Sequence, residues 1–496
     1  AKHPRARLWP ATAQRMLNGS STSTQASDGE RPDDPVVVVG AGLAGLLASL
    51  YMRRRGKDVV ITDIRDDPRI AQLQHVESAM GKHKMDGMGK LGNATRRSIN
   101  LALSARGLRA LRKAGLDEDV LADAVQMNGR MIHDLKGNTT LQLYGDSADE
   151  ALYSVSRDAM TRYLVDHLTA PATEGEGAVD VRFRCKCTAI SADGIVTLQC
   201  PDGTHQCPSQ VVIGADGIFS VTRRELSRHT RMNLFQEYIE HGYIEVGMPP
   251  SVDGDFRLDP HALHIWPRHD FMLIALPNVD RSFTGTLFAP WDVLAKLENP
   301  EYAVQWFREQ FPDAVDLVPS LARALSTNVR GALATVKCSP WHANGRILLI
   351  GDAAHSVVPF YGQGMNCCFE DCLVLDEAFE LARGDWSVAL PLFFNARKSA
   401  CDALAELSLG NYIEMRSRTA SRWFVLKGHV DRALHRVFPS WHSSLHSAVC
   451  SSHLEYDEAL ATCRWQDRVL TQCALATLGL AGAAAYLALA RTRARW

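Results

Sequence analysis

The sequence predicts an α/β protein in which a nucleotide-binding domain is interwoven with a β-sheet domain and followed by a helical C-terminal region. Three observations support this fold class. A four-valine run leads into the glycine-rich loop GAGLAG, an apolar helix and a second strand, which together form a βαβ unit. Two later strands each end at an aspartate beside glycine, in GADG at 214–217 and in GDAAH at 351–355. After about residue 370 the pattern becomes helical, with few strand signals.

The bulk composition excludes some classes of function. The chain has 496 residues, 46% hydrophobic content and a formal net charge of −2, so nothing in its charge favours nucleic-acid binding. Its twelve cysteines are irregularly spaced and include no CxxC pair. This spacing argues against a zinc ribbon or a redox dithiol and favours free buried thiols in a reducing compartment.

Two stretches are expected to lie outside the folded core. Residues 1–34 have no apolar periodicity and carry an early excess of basic residues, which fits a disordered tail and a mitochondrial targeting peptide equally well. Residues 71–95 are rich in glycine, lysine and methionine, and we interpret them as a loop insertion.

The segment 469–490 contains 22 residues without a charge and is flanked by arginines. As a helix it would span about 33 Å, close to the thickness of a bilayer core. We therefore expect a transmembrane anchor here. The alternative is a buried C-terminal helix, and the many alanines make membrane insertion less favourable than leucines would.

The GAGLAG loop has the spacing of a dinucleotide-binding fingerprint. Gly40 allows a tight turn, Gly42 lets the backbone approach a pyrophosphate, and Gly45 lets the helix pack closely on the strand. Asp63 ends the second strand, where an acid can accept a hydrogen bond from a ribose 2′-hydroxyl and would repel a 2′-phosphate. The site therefore favours FAD or NAD over NADP, and the alternative is a glycine-rich turn without a ligand.

Two further loops add to this site. In IGADGIFSVTR, at 213–223, a strand runs into Asp216, which by itself could simply cap a turn. In LLIGDAAHSVVPFYGQGMN, at 348–366, a strand brings Asp352 to a position where it can bond the ribityl hydroxyls of a flavin. The helix that begins at GQGMN can direct its N-terminal amides to a flavin ring carbonyl. We interpret His355, inside this motif, as structural.

These three motifs, in this order, resemble those of the class A flavoprotein monooxygenases of the para-hydroxybenzoate hydroxylase type. Four further stretches resemble the kynurenine 3-monooxygenase family, namely RRSINLALSARGLRAL at 96–111, GRMIHDLKG at 129–137, LHIWPR at 263–268 and NYIEMR at 411–416. The resemblance runs from about residue 36 to the C-terminus and excludes the insertion at 71–95. It includes the apolar tail, which anchors the animal enzymes of that family in the mitochondrial outer membrane.

The resemblance implies a Rossmann-like FAD-binding domain interwoven with a β-sheet substrate domain, then a helical C-terminal region and a C-terminal transmembrane helix. The expected boundaries are 35–115, 151–225 and 331–390 for the discontinuous FAD-binding domain, 116–150 and 226–330 for the substrate domain, 391–468 for the helical region and 469–490 for the anchor.

The resemblance also implies the residues of the site. FAD would be bound by residues of the three loops and their neighbours: Gly40, Gly42, Ala44, Gly45, Asp63, Arg65, Ala102, Arg157, Asp216, Asp352, Gly362, Gly364, Met365 and Asn366. The carboxylate of kynurenine would be bound by Arg130 and Tyr144, with help from Asn411. The aromatic ring would lie against Phe271 and Phe360, and Met415 follows one helical turn after Asn411. No metal and no catalytic acid or base is implied, because the flavin carries the chemistry.

One position departs from the family pattern. The family has a further tyrosine that contacts the substrate, and this chain has His446 at the corresponding position. A histidine can still form a hydrogen bond, but its charge could change near neutral pH. We therefore expect an effect on affinity or on its pH dependence, not on the reaction.

The implied reaction is the hydroxylation of L-kynurenine to 3-hydroxykynurenine, in tryptophan degradation by the kynurenine pathway and towards NAD biosynthesis. NADPH would reduce FAD, and a flavin C4a-hydroperoxide formed with O2 would transfer OH to the ring carbon beside the amine. The implied location is the mitochondrial outer membrane, with the catalytic part facing the cytosol. The sequence shows no separate NADPH site.

Two other functions stay open at this stage. A membrane-tethered flavin monooxygenase of a lipid substrate would share the three loops and the tail, but it would not need the carboxylate-binding pair Arg130 and Tyr144. A non-enzymatic escort protein built on an FAD-like fold could keep GAGLAG, but it would not need the other two loops. The WxWxIP motif of a flavin halogenase is absent from the sequence.

Overall fold

The computed structural model describes residues 33–70, 100–145, 150–413, 445–451 and 454–493. The strands of these residues are β1 (Val36–Val39), β2 (Val59–Asp63), β3 (Asn100–Leu103), β4 (Ala124–Met127), β5 (Gly129–His133), β6 (Thr139–Leu143), β7 (Leu152–Ser156), β8 (Val179–Phe183), β9 (Lys186–Ile190), β10 (Val196–Cys200), β11 (Gly203–Cys207), β12 (Val211–Gly214), β13 (Asn233–Met248), β14 (Ala262–Arg268), β15 (Phe271–Pro277), β16 (Phe283–Pro290), β17 (Arg330–Ser339), β18 (His342–Ala343) and β19 (Ile347–Leu349).

The helices of the same residues are α1 (Leu43–Arg54), α2 (Ala105–Lys113), α3 (Asp117–Ala122), α4 (Arg157–Thr169), α5 (Val221–His229), α6 (Trp291–Lys296), α7 (Pro300–Gln310), α8 (Leu321–Thr327), α9 (Asp352–His355), α10 (Gly364–Leu381), α11 (Trp386–Ile413), α12 (Leu445–Cys450) and α13 (Tyr456–Arg493). Short 3-10 turns occur at Val315–Leu317 and Pro359–Tyr361.

A six-stranded sheet forms the nucleotide-binding half, in the order β18-β19-β12-β1-β2-β8. Neighbouring strands pair in parallel, except that β18 and β19 are antiparallel. The valines of β1 are buried between β2 and β12, because helices cover both faces of a parallel sheet and leave no strand surface for water. The predicted Rossmann-like α/β fold with its buried four-valine strand is therefore confirmed.

A seven-stranded sheet forms the second half, in the order β17-β13-β16-β15-β14-β5-β6. Its pairs are antiparallel, except that β5 and β14 are parallel. Two small antiparallel sheets, β11-β10-β9 and β3-β7-β4, complete the strands. Because β5 and β6 precede β8 and β12 in the chain, the two large sheets are interwoven.

Three apolar clusters hold these layers together. The main core packs the six-stranded sheet against α1, α10 and α11. A second core lies between the seven-stranded sheet and α6, α7 and α8. A smaller cluster joins Tyr243, Phe288, Phe360 and Tyr412, and so connects the seven-stranded sheet to the end of α11. The region between the sheets is thus closed on several sides by packed side chains.

A buried ion-pair network links α9, α10 and α11 behind the third loop. Arg397 is fully buried and donates to Asp371 Oδ1 at 2.8 Å, Glu370 Oε2 at 2.9 Å and Glu455 Oε2 at 3.0 Å. The other oxygen of Asp371 lies 2.5 Å from Nε2 of His355. Burial alone would lower the pKa of His355, but the charge of Asp371 raises it well above its usual value. His355 is therefore a buried cation paired with Asp371, a structural role.

The C-terminal helix corrects one prediction. Residues 469–490 belong to α13, a helix of 38 residues, but no helix in the described part of the chain is both long enough and apolar enough to cross a membrane. The predicted transmembrane anchor is therefore wrong. The many alanines of this run make membrane insertion less favourable than leucines would. The mitochondrial outer-membrane location, which no observation tests, stays a prediction from the sequence.

The cysteines also differ in part from expectation. Cys185 and Cys200 form a disulfide between the start of β9 and the end of β10. The other ten cysteines are not disulfide-bonded, and most of them are buried, as predicted. The spacing of the cysteines in the sequence does not reveal this pair. The two residues meet only in the folded chain, where the hairpin of β9 and β10 brings them together.

We predict that Arg397→Ala destabilises the fold strongly, because it removes the guanidinium that two fully buried carboxylates, Glu370 and Asp371, share. Loss of one partner from a buried ion pair typically costs about 3–5 kcal/mol of unfolding free energy. Urea unfolding followed by circular dichroism measures the change. Arg281→Ala is the matched control, since its ion pair with Asp255 is exposed, and it should leave the midpoint unchanged. Equal midpoints for the two variants would contradict a structural role for the network.

Candidate active site

A cavity of about 700 Å³ is lined by residues of both large sheets and lies at the carboxyl ends of β1, β2 and β12. This volume is typical of pockets that hold a cofactor or a substrate. The three glycine-containing loops line one end. Side chains of the seven-stranded sheet, the Pro359–Tyr361 turn and α12 line the other end. We call these the loop end and the sheet end.

The first loop leaves a helix N-terminus open to the cavity. Gly40 has a φ of +105°, and a Cβ on Gly45 would lie 1.9 Å from the carbonyl oxygen of Gly40, so both positions require glycine. Gly42 is different, because a Cβ there would meet nothing within 4 Å. α1 has no side-chain cap and no acid in its first turn. Its first N–H groups therefore fit an anion such as a pyrophosphate.

Asp63 supplies a charged acceptor beside this loop. Its Oδ2 accepts a hydrogen bond from the backbone N–H of Ala41 at 2.8 Å, which fixes the carboxylate against the glycine loop. Arg65 donates to both oxygens, at 2.9 and 2.7 Å. Burial alone would raise the pKa of Asp63, but these bonds from Arg65 lower it below its usual value. A carboxylate in this place and state can accept hydrogen bonds from ribose hydroxyls.

The second loop is fixed to the third by an arginine. Asp216 lines the cavity, but its carboxylate accepts hydrogen bonds from Ser220 Oγ at 2.5 Å and from the backbone N–H of Thr222 at 2.9 Å. It therefore caps its own turn. Arg223 donates to the carbonyl oxygen of Ala353 at 2.8 Å. The sequence marks Arg223 as part of the motif, but its bond to the third loop becomes visible only in the folded chain.

The third loop brings Asp352 and a second open helix N-terminus to the cavity. Asp352 lines the cavity, where the loss of water around the carboxyl group raises its pKa and the charge of Arg157 opposes that rise. α10 begins at Gly364 without a side-chain cap, and Gly364 and Met365 line the cavity. Its N–H groups thus point to the region where a flavin ring carbonyl is expected.

Asn366 holds the third loop from behind. Its amide donates to the carbonyl oxygens of Ala102 at 2.8 Å and Gly362 at 2.9 Å, and its oxygen accepts from the N–H of Ser104 at 2.9 Å. Asn366 is fully buried and does not line the cavity. It therefore connects the loop to β3 and α2 and does not face a ligand directly.

The predicted cofactor residues thus divide into two groups. Those that line the cavity are Gly40, Gly42, Ala44, Asp63, Arg65, Ala102, Arg157, Asp216, Asp352, Gly362, Gly364 and Met365. Gly45 and Asn366 lie behind the wall and shape it. Two uncapped helix N-termini and two separate carboxylates match the anionic and hydroxyl-bearing parts of FAD, so the residues present fit this cofactor.

Three polar side chains converge at the sheet end. The guanidinium of Arg130 lies 5.7 Å from the ring centre of Tyr144, whose ring is 4.8 Å from that of His446. Tyr144 Oη and His446 Nε2 are buried and find no hydrogen-bond partner among the described residues. Burial raises the pKa of Tyr144 to about 12, so its hydroxyl can donate a hydrogen bond at neutral pH. A cation with two unsatisfied neighbours fits a carboxylate.

His446 does not behave as its residue type alone suggests. Burial and the charge of Arg130 lower the pKa of His446 well below its usual value. The imidazole is therefore neutral at physiological pH, and the expected change of charge near neutral pH has no support in the structure.

Aromatic side chains form the walls next to these groups. Phe360 lines the cavity, stacks on Tyr412 with ring centres 4.0 Å apart and contacts Phe288 at 5.1 Å. Tyr243 and Phe288, on β13 and β16, also line the cavity. These walls are apolar and fit an aromatic ring.

Two predicted substrate residues lie elsewhere. Phe271 packs in the second core, with its ring 4.9 Å from Trp306 and 6.1 Å from Phe311, and it does not line the cavity, so the structure does not bring it together with the other predicted substrate residues. Its neighbour Met272 lines the cavity instead, because successive side chains of a strand point to opposite faces. Asn411 does not line the cavity and donates to the backbone oxygen of Phe360 at 2.7 Å.

Some predictions fall on residues that the structure does not describe. Met415, the insertion at 71–95 and nearly all of the tail at 1–34 lie outside the described residues. Sequence reasoning also missed cavity residues of the seven-stranded sheet, namely Tyr243, Met272, Ile274, Thr284, Thr286 and Phe288. No local motif marks them, and β15 carries apolar residues on both faces.

Comparisons with known proteins agree with this geometry. A family described as "FAD binding domain" matches residues 89–384, and one described as "NAD(P)-binding Rossmann-like domain" matches residues 38–78. The kynurenine 3-monooxygenase of Myxococcus xanthus is 40% identical over 86% of this chain and 88% of that protein. The kynurenine 3-monooxygenase of Sus scrofa is 37% identical over 88% of both chains.

A solved structure shares the fold. The tetrameric form of 2-methyl-3-hydroxypyridine-5-carboxylic acid oxygenase superposes with a TM-score of 0.61 at 19% identity, over 78% of this chain and 93% of that one. At this identity the likeness concerns the fold alone.

Fold, loop end and family match together define an FAD-dependent monooxygenase that uses NADPH as its reductant. The sequence identity to the two relatives exceeds one third over most of this chain and of theirs, and it supports a more specific assignment. The chain belongs to the kynurenine 3-monooxygenase family. The lipid monooxygenase and the non-enzymatic escort protein are not favoured.

We predict that Gly42→Ala folds normally but loses FAD. A Cβ at this position meets no protein atom within 4 Å, yet it would enter the space in front of the α1 N-terminus. Titration with FAD should show an affinity at least tenfold lower, about 1.4 kcal/mol, with an unchanged unfolding midpoint of the apoprotein. Gly247→Ala is the control, because a Cβ there also meets nothing within 4 Å and lies on β13 away from the loops. Unaltered FAD affinity in Gly42→Ala would show that the pyrophosphate does not bind at this helix.

Proposed function

We propose that this enzyme hydroxylates L-kynurenine to 3-hydroxykynurenine, with FAD as cofactor and NADPH and O2 as co-substrates. The observation that carries the proposal is the group of Arg130, Tyr144 and His446 at the sheet end of the same cavity whose loop end fits FAD. Kynurenine combines an amino-acid carboxylate with an aromatic amine. It therefore needs one polar and one aromatic contact region at a fixed distance from the flavin. The relatives named kynurenine 3-monooxygenase support this substrate.

FAD, when bound and reduced by NADPH, supplies the chemistry that activates O2 and inserts one oxygen atom into an aromatic ring. The residues of the three loops would hold it: the α1 N-terminus at the pyrophosphate, Asp63 at the ribose, Asp352 at the ribityl chain and the α10 N-terminus at the flavin ring. Each of these contacts uses a group that the structure leaves open to the cavity or fixes as a charged acceptor.

Arg130 binds the substrate carboxylate in this proposal. A guanidinium can donate two parallel hydrogen bonds to a carboxylate, and this pairing fixes orientation as well as affinity. Tyr144 keeps its proton because burial raises its pKa to about 12, so it adds a third donor. The polar group thus sets which end of the substrate faces away from the flavin.

The aromatic walls orient the ring and exclude water. Phe360 belongs to the Pro359–Tyr361 turn of the third loop, so it lies where the loop end and the sheet end of the cavity meet. Its position is fixed from two directions, by stacking on Tyr412 and by the bond from Asn411 to its backbone oxygen. Exclusion of water matters, because an oxygen-activating site that admits water loses reducing equivalents as hydrogen peroxide. The kynurenine amine activates the ring towards oxygen, so the site needs no strong protein base.

A hydrocarbon substrate fits this site poorly. The half-buried Arg130, beside two polar atoms without partners among the described residues, would lose its remaining hydration and gain nothing from an apolar ligand. This argument separates kynurenine from lipid substrates on the chemistry of the cavity.

The direct test is turnover. The purified FAD-loaded enzyme should oxidise NADPH much faster with L-kynurenine than without it, and chromatography should find one 3-hydroxykynurenine for each NADPH consumed. NADPH oxidation that ignores kynurenine, or that yields hydrogen peroxide in place of the hydroxylated product, would refute the substrate assignment.

We predict that Arg130→Ala raises the KM for kynurenine while FAD stays bound. Hydrogen bonds to a charged group contribute about 1.5–3 kcal/mol, which corresponds to a rise in KM of roughly tenfold to a hundredfold. The KM of Arg130→Lys should lie between those of the wild type and Arg130→Ala, because an ammonium group keeps the charge but cannot donate two parallel hydrogen bonds. Steady-state kinetics and the flavin absorbance measure both properties. Arg281→Ala, on the surface, is the matched control. Flavin loss in Arg130→Ala would place this residue at the cofactor instead.

A further inference from the structure

The disulfide between Cys185 and Cys200 connects the wall of the cavity to the surface of the protein. Cys185 is buried and lines the cavity together with Lys186 and Cys187. Cys200 is the last residue of β10, is half-buried and precedes the exposed residues 201–203. One sulfur of the pair thus belongs to the cofactor side of the cavity, and the other lies next to solvent.

Backbone hydrogen bonds attach Cys185 to the strand that ends at Asp63. The N–H of Cys185 donates to the carbonyl oxygen of Asp63 at 2.9 Å, and its carbonyl oxygen accepts from Oγ1 of the buried Thr62 at 2.8 Å. The N–H of Arg184 donates to the carbonyl oxygen of Arg65 at 3.0 Å. The short connection between β8 and β9 therefore lies against the carboxyl end of β2, beside the carboxylate that would bind the ribose of FAD.

This connection contains an unfavourable backbone conformation. Arg184 has a φ of +60°, in the left-handed region that residues with a Cβ rarely adopt. Such a conformation persists only where the surrounding structure holds it. Here the hydrogen bonds to β2 hold it on one side, and the disulfide of Cys185 holds it on the other. Loss of the disulfide would let this part of the cavity wall relax.

The hairpin of β9 and β10 is irregular at the same point. β9 lies at the edge of the sheet β11-β10-β9, with β10 as its neighbour. The register of the two strands shifts between Thr197 and Leu198, next to the end that carries the disulfide. A bulge disrupts the hydrogen-bond ladder locally. The disulfide is therefore the covalent closure of a weakly paired end of the hairpin.

A small thiol can reach this disulfide from the solvent side. Thiol–disulfide exchange requires that a thiolate reach one of the two sulfurs, and Cys200 is the partly exposed partner. Sγ of Cys200, a carboxylate oxygen of Asp202 and a ring nitrogen of His205 lie within 4.8 Å of one another. An imidazole at this place can donate a hydrogen bond to the thiolate of Cys200 and so assist its release.

We propose that the Cys185–Cys200 pair is an exchange site for low-molecular-weight thiols such as glutathione, and that opening of the disulfide weakens FAD binding by releasing the cavity wall beside Asp63. The proposal needs FAD as the cofactor but does not need kynurenine as the substrate. It therefore goes beyond the proposed function and can be tested without turnover.

The exchange proceeds in two balanced steps. A thiolate of the small thiol forms a bond to Sγ of Cys200, the bond between the two cysteines breaks, and Cys185 leaves as a thiolate that takes up a proton. A second thiolate then attacks the sulfur of the first small thiol, and Cys200 leaves as a thiolate that also takes up a proton. Two small thiols are oxidised to their disulfide, and the protein disulfide is reduced to two thiols. Oxidised glutathione reverses both steps.

The first test measures the state of the pair and the binding of FAD in the same samples. The FAD-loaded enzyme is equilibrated with oxidised or with reduced glutathione, and alkylation followed by peptide mass spectrometry should find Cys185 linked to Cys200 in the first sample only. Dilution of each sample, followed by flavin fluorescence, should give a dissociation constant for FAD about fivefold or more higher in the reduced sample. A pair that stays unlinked in oxidised glutathione, or linked in reduced glutathione, would overturn the proposal, and so would equal FAD affinities.

Variants show whether this pair causes the difference. Cys200→Ala cannot form the disulfide, so it should bind FAD with the affinity of the reduced wild type in both forms of glutathione. Its urea unfolding midpoint should equal that of the reduced wild type, because neither has the cross-link. Cys207→Ala is the matched control, since Cys207 is a buried free cysteine on β11 of the same sheet and lies outside the cavity. It should keep the full difference. A difference that persists in Cys200→Ala would place the effect at another cysteine and refute the proposal.

Steady-state kinetics with kynurenine separate this proposal from the proposed function. At saturating FAD the oxidised and reduced enzymes should have the same KM for kynurenine, because the disulfide lies beside Asp63 and not at the sheet end. A KM that differs between the two forms at saturating FAD would contradict an effect confined to the cofactor. Absence of kynurenine turnover in both forms would refute the proposed function, and the results for FAD release and for the linked peptide would still stand.

Discussion

The carboxylate of Asp371 is the group on which the cofactor side of this enzyme depends. One oxygen accepts from the backbone N–H of Gly351 at 3.0 Å and pairs with His355, and the other accepts from Arg397. Gly351 has a φ of +58°, so the turn from β19 into α9 needs this support. Asp352 follows Gly351 directly in the chain. The buried carboxylate of Asp371 on α10 therefore determines where Asp352 meets the cavity.

The two ends of the cavity are built on different principles. At the loop end, backbone N–H groups and two carboxylates would make the contacts to FAD, and the fold restricts Gly40 and Gly45 to glycine. At the sheet end, side chains make the contacts and each is fixed by a neighbour: Phe360 by Asn411, and His446 by Cys450. Gln363 joins the two ends, because it precedes α10 and contacts Cys450. A change of substrate can therefore be accommodated at the sheet end while the cofactor end stays the same.

The sequence predicts the loop end well and the sheet end less well, for a physical reason. Gly40, Gly42 and Asp63 act through local geometry, in which glycine spacing and the end of a strand are readable without the fold. The choice between Phe271 and Met272 depends on which face of β15 meets the cavity, and that strand is apolar on both faces. The lowered pKa of His446 depends on burial and on the charge of Arg130, which lies more than three hundred residues away in the chain. The transmembrane prediction rested on the absence of charge in the terminal run, whereas no helix in the described part of the chain is both long enough and apolar enough to cross a membrane.

The bond from Arg223 to Ala353 has a consequence for synthesis on the ribosome. β1 lies between β2, which follows at once, and β12, which is made more than one hundred and fifty residues later, and β12 in turn awaits β19. When β2 has just been synthesised, β1 and the GAGLAG loop that follows it still lack the pairing with β12. Arg223 finds its acceptor only after the third loop has emerged. We therefore expect flavin to bind only after residues 351–366 have been synthesised, because the site is assembled from three distant parts of the chain.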